Sequence, residues 1–173
     1  ADFMSERGVG IGTLYDYQRD DMFNLPGLAK GRFDAWGLQD SGLDNLGRGR
    51  RSLDPEKDFR GRIFWNHRQL LGDGYQLTGE VGVISDRNFL EQYYEREWDE
   101  DKDQITGVEL KRIDENMSWA VDSNIRTNDF HTQTDWLPRF SHNWLGKSLF
   151  ADRLTWYEHS HVGYARLKAA KSP

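Results

Sequence analysis

A chain of 173 residues with a net charge of −6 has room for one ordinary domain, and its acidic balance argues against a nucleic-acid partner. It holds no cysteine, which excludes a disulfide framework, a thiolate-bound metal and a cysteine nucleophile. Hydrophobic residues are only 36% of the chain while aromatic ones reach 13%, including seven Trp; that is too many large rings for a disordered chain, and it suits sheets with one apolar and one polar face.

Period-two alternation runs through nearly the whole sequence. The first predicted strand begins at Gly8 with GVGIGTLYDYQ, setting Val9, Ile11, Thr13, Tyr15 and Tyr17 on one face against mostly glycine. LAKGRFDAWGLQ (residues 28–39) opposes Lys30, Arg32 and Asp34 to Ala29, Phe33 and Ala35. FRGRIFWNHRQLL (59–71) sets Phe59, Ile63 and Trp65 against Arg60, Arg62, Asn66 and Arg68. YQLTGEVGVIS alternates most clearly, with Tyr75, Leu77, Val81 and Val83 on one side and Gln76, Thr78 and Glu80 on the other. QITGVELKRID (104–114) and MSWAVDSNIRTN (117–128) follow, the second with Met117, Trp119, Val121 and Ile125 opposite Asp122, Asn124 and Arg126. A shorter strand is predicted near residues 136–144 and a last long one over 149–167. The pattern gives about eight strands and at most one short helical turn, around residues 88–94.

The connections alternate in length. Asp73-Gly74 and Asp114-Glu115-Asn116 are tight-turn signals, whereas residues 40–58 and 86–103 are long and polar. Short and long connections therefore fall on opposite ends of the sheet, as in outer-membrane barrels with short periplasmic turns and long external loops. The plainer expectation is a soluble antiparallel sheet. No apolar run of about 18 residues is present, so no membrane-spanning helix is predicted, and there is no signal-peptide pattern at the start. Neither absence bears on a barrel, whose strands are only about 10 residues of alternating character.

The densest charge lies in GVISDRNFLEQYYEREWDEDKD (82–103), which carries eight acidic and three basic residues. Asp99, Asp101 and Asp103 match positions 1, 3 and 5 of an EF-hand loop, but Gln104 stands where Gly is needed and Leu110 where Glu is needed. An EF-hand is rejected, which leaves a solvated loop, with a loose cation site as the alternative. His159 and His161, two apart on a strand, share a face as a metal pair would, yet spacing marks no third ligand. Twenty-nine acidic residues also admit a paired-carboxylate glycosidase, although no spacing singles out a pair. No nucleophile elbow, P-loop or dinucleotide fingerprint occurs, so no catalytic residue, cofactor or metal ligand is assigned and no enzymatic activity is expected.

Three segments together resemble one family. In FRGRIFWNHRQLL, Trp65, Asn66 and His67 follow an arginine-started apolar run. Ser85-Asp86, followed by Asn88-Phe89-Leu90 and Tyr93-Tyr94, resembles a serine–aspartate signature after a strand. Asp135-Trp136-Leu137-Pro138 resembles a Leu-Pro step that opens a later strand. In this order they are similar to the first part of the barrel domain of the LptD family, the lipopolysaccharide-assembly (organic solvent tolerance) proteins of Gram-negative outer membranes, from Arg7 to Lys168.

The resemblance implies an all-β chain: an antiparallel meander of about eight long strands, forming a single open segment of a large outer-membrane β-barrel. It implies export of lipopolysaccharide or a related glycolipid into the outer leaflet. The implied partners are outer-membrane lipid, a plug lipoprotein and periplasmic bridge proteins. Trp65, Asn66, His67, Ser85, Asp86, Leu137 and Pro138 are then structural signature residues. Tyr93, Tyr94 and Trp98 fit an aromatic interface girdle or loop packing. Glu158 and Ser160 sit awkwardly, on the same face as Leu154 and Trp156 of what would be a lipid-facing wall. The alternative is a soluble carbohydrate-binding β-sheet module, suggested by the Trp content and the Asn- and Asp-rich loops.

Overall fold

A computed structural model describes residues 2–4, 7–100 and 104–171. One antiparallel sheet dominates. Its strands are β1 (Asp2–Met4), β2 (Gly8–Met22), β3 (Leu25–Gln39), β6 (Phe59–Gly72), β7 (Tyr75–Ile84), β8 (Thr106–Asp114), β9 (Met117–Ile125), β10 (Gln133–Leu149) and β11 (Leu154–Lys168), paired in that order. A two-stranded ribbon, β4 (Asp44–Asn45) and β5 (Arg51–Leu53), lies in the connection between β3 and β6. Two short helices, α1 (Phe89–Tyr93) and α2 (Glu95–Glu100), lie between β7 and β8. The sheet is open, since β1 and β11 do not pair with each other.

The eight long strands and the all-β antiparallel class are those the alternation predicts. Three local expectations are corrected. The last strand starts at Leu154, because Phe150, Ala151 and Asp152 make a turn with three successive positive φ angles that no glycine or proline announces. β10 runs from Gln133 to Leu149, well past residues 136–144 at both ends. The segment around residues 88–94 holds one helix, and a second follows it.

From β2 onward, the short connections Phe23–Asn24, Asp73–Gly74, Glu115–Asn116 and residues 150–153 lie at one end, whereas Met4 of β1 and Gly8 of β2 meet at the other. Residues 40–58, 85–100 and 126–132 lie at the other. Asp73 and Gly74 both have positive φ, as the twist-matched two-residue hairpin turn requires.

Register carries the alternation across strands. One face holds the row Tyr15–Phe33–Trp65–Val81 and, beside it, Leu77–Leu110–Val121–Phe140–Val162. The opposite face holds Asp16–Arg32–Asn66–Glu80 and Gln18–Lys30–Arg68–Thr78–Glu109–Asp122–Arg139. Among the described residues no second layer covers the apolar face, where Val9, Ile11, Tyr15, Ile63, Val108, Phe140 and Val162 are exposed. The buried apolar cluster sits elsewhere. Ile84, Phe89 and Leu90 pack with Trp36, Phe64, Tyr93, Tyr94 and Phe130 at the long-loop end. Trp36, Phe64 and Ile84 belong to the charged face by register, so α1 lies against that face.

Candidate functional site: an arginine clasp over the charged face

The second residue of β6 is Arg60, and alternation sends it to the charged face just inside the long-loop end. Its guanidinium is fully buried and uses its fork on both flanking loops. Nε and Nη2 donate to Asp86 Oδ2 and Oδ1 at 3.0 and 2.8 Å, the bidentate geometry that suits arginine and carboxylate. Nη1 donates to Asp44 Oδ1 at 2.6 Å and to Asp40 Oδ2 at 3.1 Å. Arg7, just before β2, supplies a second cation. Its Nη1 donates to Asp40 at 2.9 Å and to the Tyr93 hydroxyl at 2.9 Å, and that hydroxyl donates in turn to Asp40. Both guanidinium groups also lie over the Tyr93 ring, 5.2 and 5.4 Å from its centre.

Backbone donors complete the carboxylates. The Gly42 amide donates to Asp40 and the Asn88 amide to Asp86, while Ser85 Oγ donates to Asp86 at 2.6 Å. These are turn-forming Asp contacts two residues ahead, so each acid fixes its own loop as well as holding arginine. Three carboxylates face two guanidinium groups, and Asp44 Oδ2 is buried without a hydrogen-bond partner.

A second tier lies deeper along the same face. Arg62 forms ion pairs with Asp34 of β3 and Glu97 of α2, and its guanidinium lies 3.5 Å from the Tyr94 ring centre. Trp36 packs against Phe89, Tyr93 and Tyr94. Arg50 pairs with Glu91, and the Asn45 amide donates to Gln92, tying the 40–58 connection to α1. Loops from three parts of the chain are thus fastened to one another and to the charged face.

Burial, reinforced by the neighbouring Asp40 carboxylate, pushes the Tyr93 phenol up to about 12, with Arg7 pulling the other way. Burial also raises Asp40, but hydrogen bonds from Tyr93 and the Gly42 amide, with the charge of Arg7, outweigh it and hold this carboxyl below its ordinary value. A phenol raised in the folded state stabilises fully below its unfolded value of about 10, and that contribution disappears as pH climbs toward the folded value. Proteolysis within residues 40–58 should therefore accelerate as pH rises from about 10 to about 12. Tyr93→Phe should be cut faster at neutral pH and should lose the pH dependence.

Of the predicted signature residues, only Ser85 and Asp86 join the clasp. Trp65 and His67 lie on the apolar face, where Trp65 Nε1 donates to Tyr17 OH at 3.1 Å and that hydroxyl meets His67 Nδ1 at 2.8 Å. Gly31 lies between Tyr17 and His67 in register, and a Cβ there would stand 2.2 Å from the Tyr17 hydroxyl. Glycine is what lets the tyrosine reach across β3. Asn66 faces the other way, between Arg32 and Glu80. Leu137 and Pro138 are joined by a cis peptide bond where β10 slips register between Trp136 and Arg139. The seven residues thus occupy four separate places.

Tyr93 and Tyr94 serve loop packing, while Trp98 stays largely exposed. Asp99 falls in α2, and Asp101 and Asp103 lie outside the described residues. His159 meets Asn143, and His161 stands edge-on to Trp136. Among the described residues no three His, Asp or Glu side chains are grouped to hold a metal ion. Sequence reasoning missed Arg7, Asp40, Asp44 and Arg60. The available signal was positional: acids just past the end of β3 and β7, and an arginine just inside β6.

No protein-family model, curated protein or solved structure matches the chain.

Proposed function

We propose that this chain is a wall segment of an outer-membrane β-barrel of the LptD type, which passes lipopolysaccharide or a related glycolipid to the outer leaflet without catalysing a reaction. One observation carries the reading: a broad sheet leaves its apolar face without a covering layer while its helices and long loops are fastened to the charged face. A soluble two-layer domain does the reverse, burying the apolar face of its sheet. In a bilayer the same arrangement is favourable, with apolar side chains meeting lipid and polar ones lining a wet interior. The alternation of short and long connections supports it, as do Phe23, Tyr75, Trp119 and Trp144 toward the short-turn end, where an aromatic girdle would meet the periplasmic interface.

On this reading the clasp lies at the external end and folds residues 85–100 inward. The wall closes through strands beyond β1 and β11, because a spanning sheet must leave no lipid-exposed edge. The charged interior would face lipopolysaccharide and a plug lipoprotein, with periplasmic bridge proteins on the short-turn side. A soluble carbohydrate-binding module would present Trp rings to solvent as sugar platforms. Trp36 is packed under α1 and Trp65 is bonded to Tyr17, which removes both from that use and leaves Trp98 and Trp156, on separate elements, as the exposed rings. The full-length protein is expected in the outer-membrane fraction, released only by detergent and migrating differently when heated. Recovery from the soluble fraction, with sugar-dependent quenching of Trp fluorescence, would overturn the reading in favour of the module.

A further inference from the structure

Two cations on the charged face stand side by side with no acid between them. Lys30 of β3 is the register partner of Arg68 of β6, and both side chains are exposed. Directly opposed residues hold their Cβ atoms about 5 Å apart, and like charges so placed destabilise a sheet. Neighbouring charges on this face avoid the conflict. Arg32 pairs with Asp16, Arg62 with Asp34, Lys111 with Glu109 and Arg139 with Asp122. Arg68 donates only to the side-chain carbonyl of Gln76, and Lys30 has no partner among the described residues.

The pair opens onto a broad depression of about 510 Å³, within the size range of small-molecule clefts. Gln18, Asn66 and Thr78 line it beside the two cations and add amide and hydroxyl donors. Its acids are already engaged: Asp16 holds Arg32, and Glu80 has a partner of its own. The depression therefore offers two uncompensated positive charges ringed by neutral donors. A carboxylate would neutralise only one of them. A phosphate monoester carries close to two negative charges at neutral pH and three oxygens that accept hydrogen bonds strongly. Arginine grips such oxygens with its fork, while lysine adds a point charge. Bare phosphate would leave much of the depression empty, which gives room for the unit that carries it.

We propose that Lys30 and Arg68 form a binding site for a phosphate monoester borne on a sugar or glycerol unit, with Gln18, Asn66 and Thr78 as auxiliary donors. The site lies on the short-turn half of the charged face, away from the clasp. This inference goes beyond the wall assignment and does not require it, since the apolar face plays no part in the site.

The test titrates the full-length protein, in a neutral maltoside detergent, into glucose 1-phosphate or glycerol 3-phosphate and follows the phosphorus-31 line width. Saturable broadening is expected. Lys30→Gln and Arg68→Gln should each weaken binding at least about tenfold, since each removes a hydrogen-bonding charge. Lys111→Gln, on the same face but in an existing ion pair, should leave it unchanged. Without ligand, Lys30→Gln should raise the urea midpoint by ending the like-charge opposition. Added glucose 1-phosphate should raise the midpoint of the native sequence and not of this variant. Tighter binding of glucose 1-phosphate assigns the site to phosphorylated sugars, and tighter binding of glycerol 3-phosphate to lipid headgroups; either supports the proposal. Absence of saturable broadening, undiminished affinity in both variants, or displacement by equimolar acetate would overturn it. A phosphate-binding protein recovered from the soluble fraction would sink the wall and keep the site, and an outer-membrane protein that binds neither ester would do the reverse.

Discussion

Arg60→Ala is expected to cost roughly 3–5 kcal/mol, because it strands buried carboxylates rather than merely deleting a contact. Asp86 loses both of its arginine bonds, Asp44 keeps only Arg7 at 3.5 Å, and Asp40 keeps Arg7 as its one cation beside the Tyr93 hydroxyl and the Gly42 amide. The loss should be local first. Residues 40–58 and 85–100 should become sensitive to protease while the sheet stays resistant, since the ladder from β2 to β11 does not pass through these side chains. Arg60→Lys should recover little, because a single ammonium cannot fork to Asp86 while also reaching Asp44. Limited proteolysis with mass mapping reads both effects. An unchanged cleavage pattern in Arg60→Ala would show that the loops are held by the Trp36 cluster alone.

The second large effect is expected at Val108, the third residue of β8, between Gly79 and Ser123 on the apolar face and level with His67 and Tyr17 of the longer strands. This side chain is 52% exposed when nothing covers the sheet. Val108→Arg on a water-facing surface would change stability by no more than about 0.5 kcal/mol. Facing the hydrocarbon midplane it should cost roughly 2–4 kcal/mol. Reversible urea unfolding of the full-length protein in lipid vesicles separates the two values, and Glu109→Gln on the opposite face serves as the control. A change as small as that of the control would remove the lipid-facing assignment.

These two positions also mark what the sequence reveals and what it conceals. Val108 and its row are legible because a strand has a side-chain period of two, and register then carries one strand's assignment to the next. Turns are legible where chemistry dictates φ, as at Asp73-Gly74, and illegible where phenylalanine and alanine adopt left-handed backbone at Phe150–Asp152. The helix α2 was hidden in the acidic run, because Glu95 to Glu100 lacks an apolar face to reveal a helical period. Arg60 shows the main limit. Alternation places it on the polar face, and a polar face suggests water. Its burial depends on Asp40, Asp44 and Asp86 arriving from two loops, and no local pattern encodes such a meeting. The signature residues illustrate the same point: Trp65 and Asn66 are adjacent in sequence and face opposite sides of the sheet.

The clasp also bears on the order in which the molecule assembles. The hairpins β2–β3, β6–β7 and β8–β9 each close over two residues and can form early, at little entropic expense. Arg60 must find partners 16, 20 and 26 residues away, and Arg7 meets Tyr93 across 86. Those contacts can form only once several hairpins are already side by side. Interactions absent from the folding transition state act on the rate of unfolding and leave the rate of folding nearly untouched. The five charged side chains at the long-loop end therefore govern how long the loops stay shut more than how quickly the sheet is made.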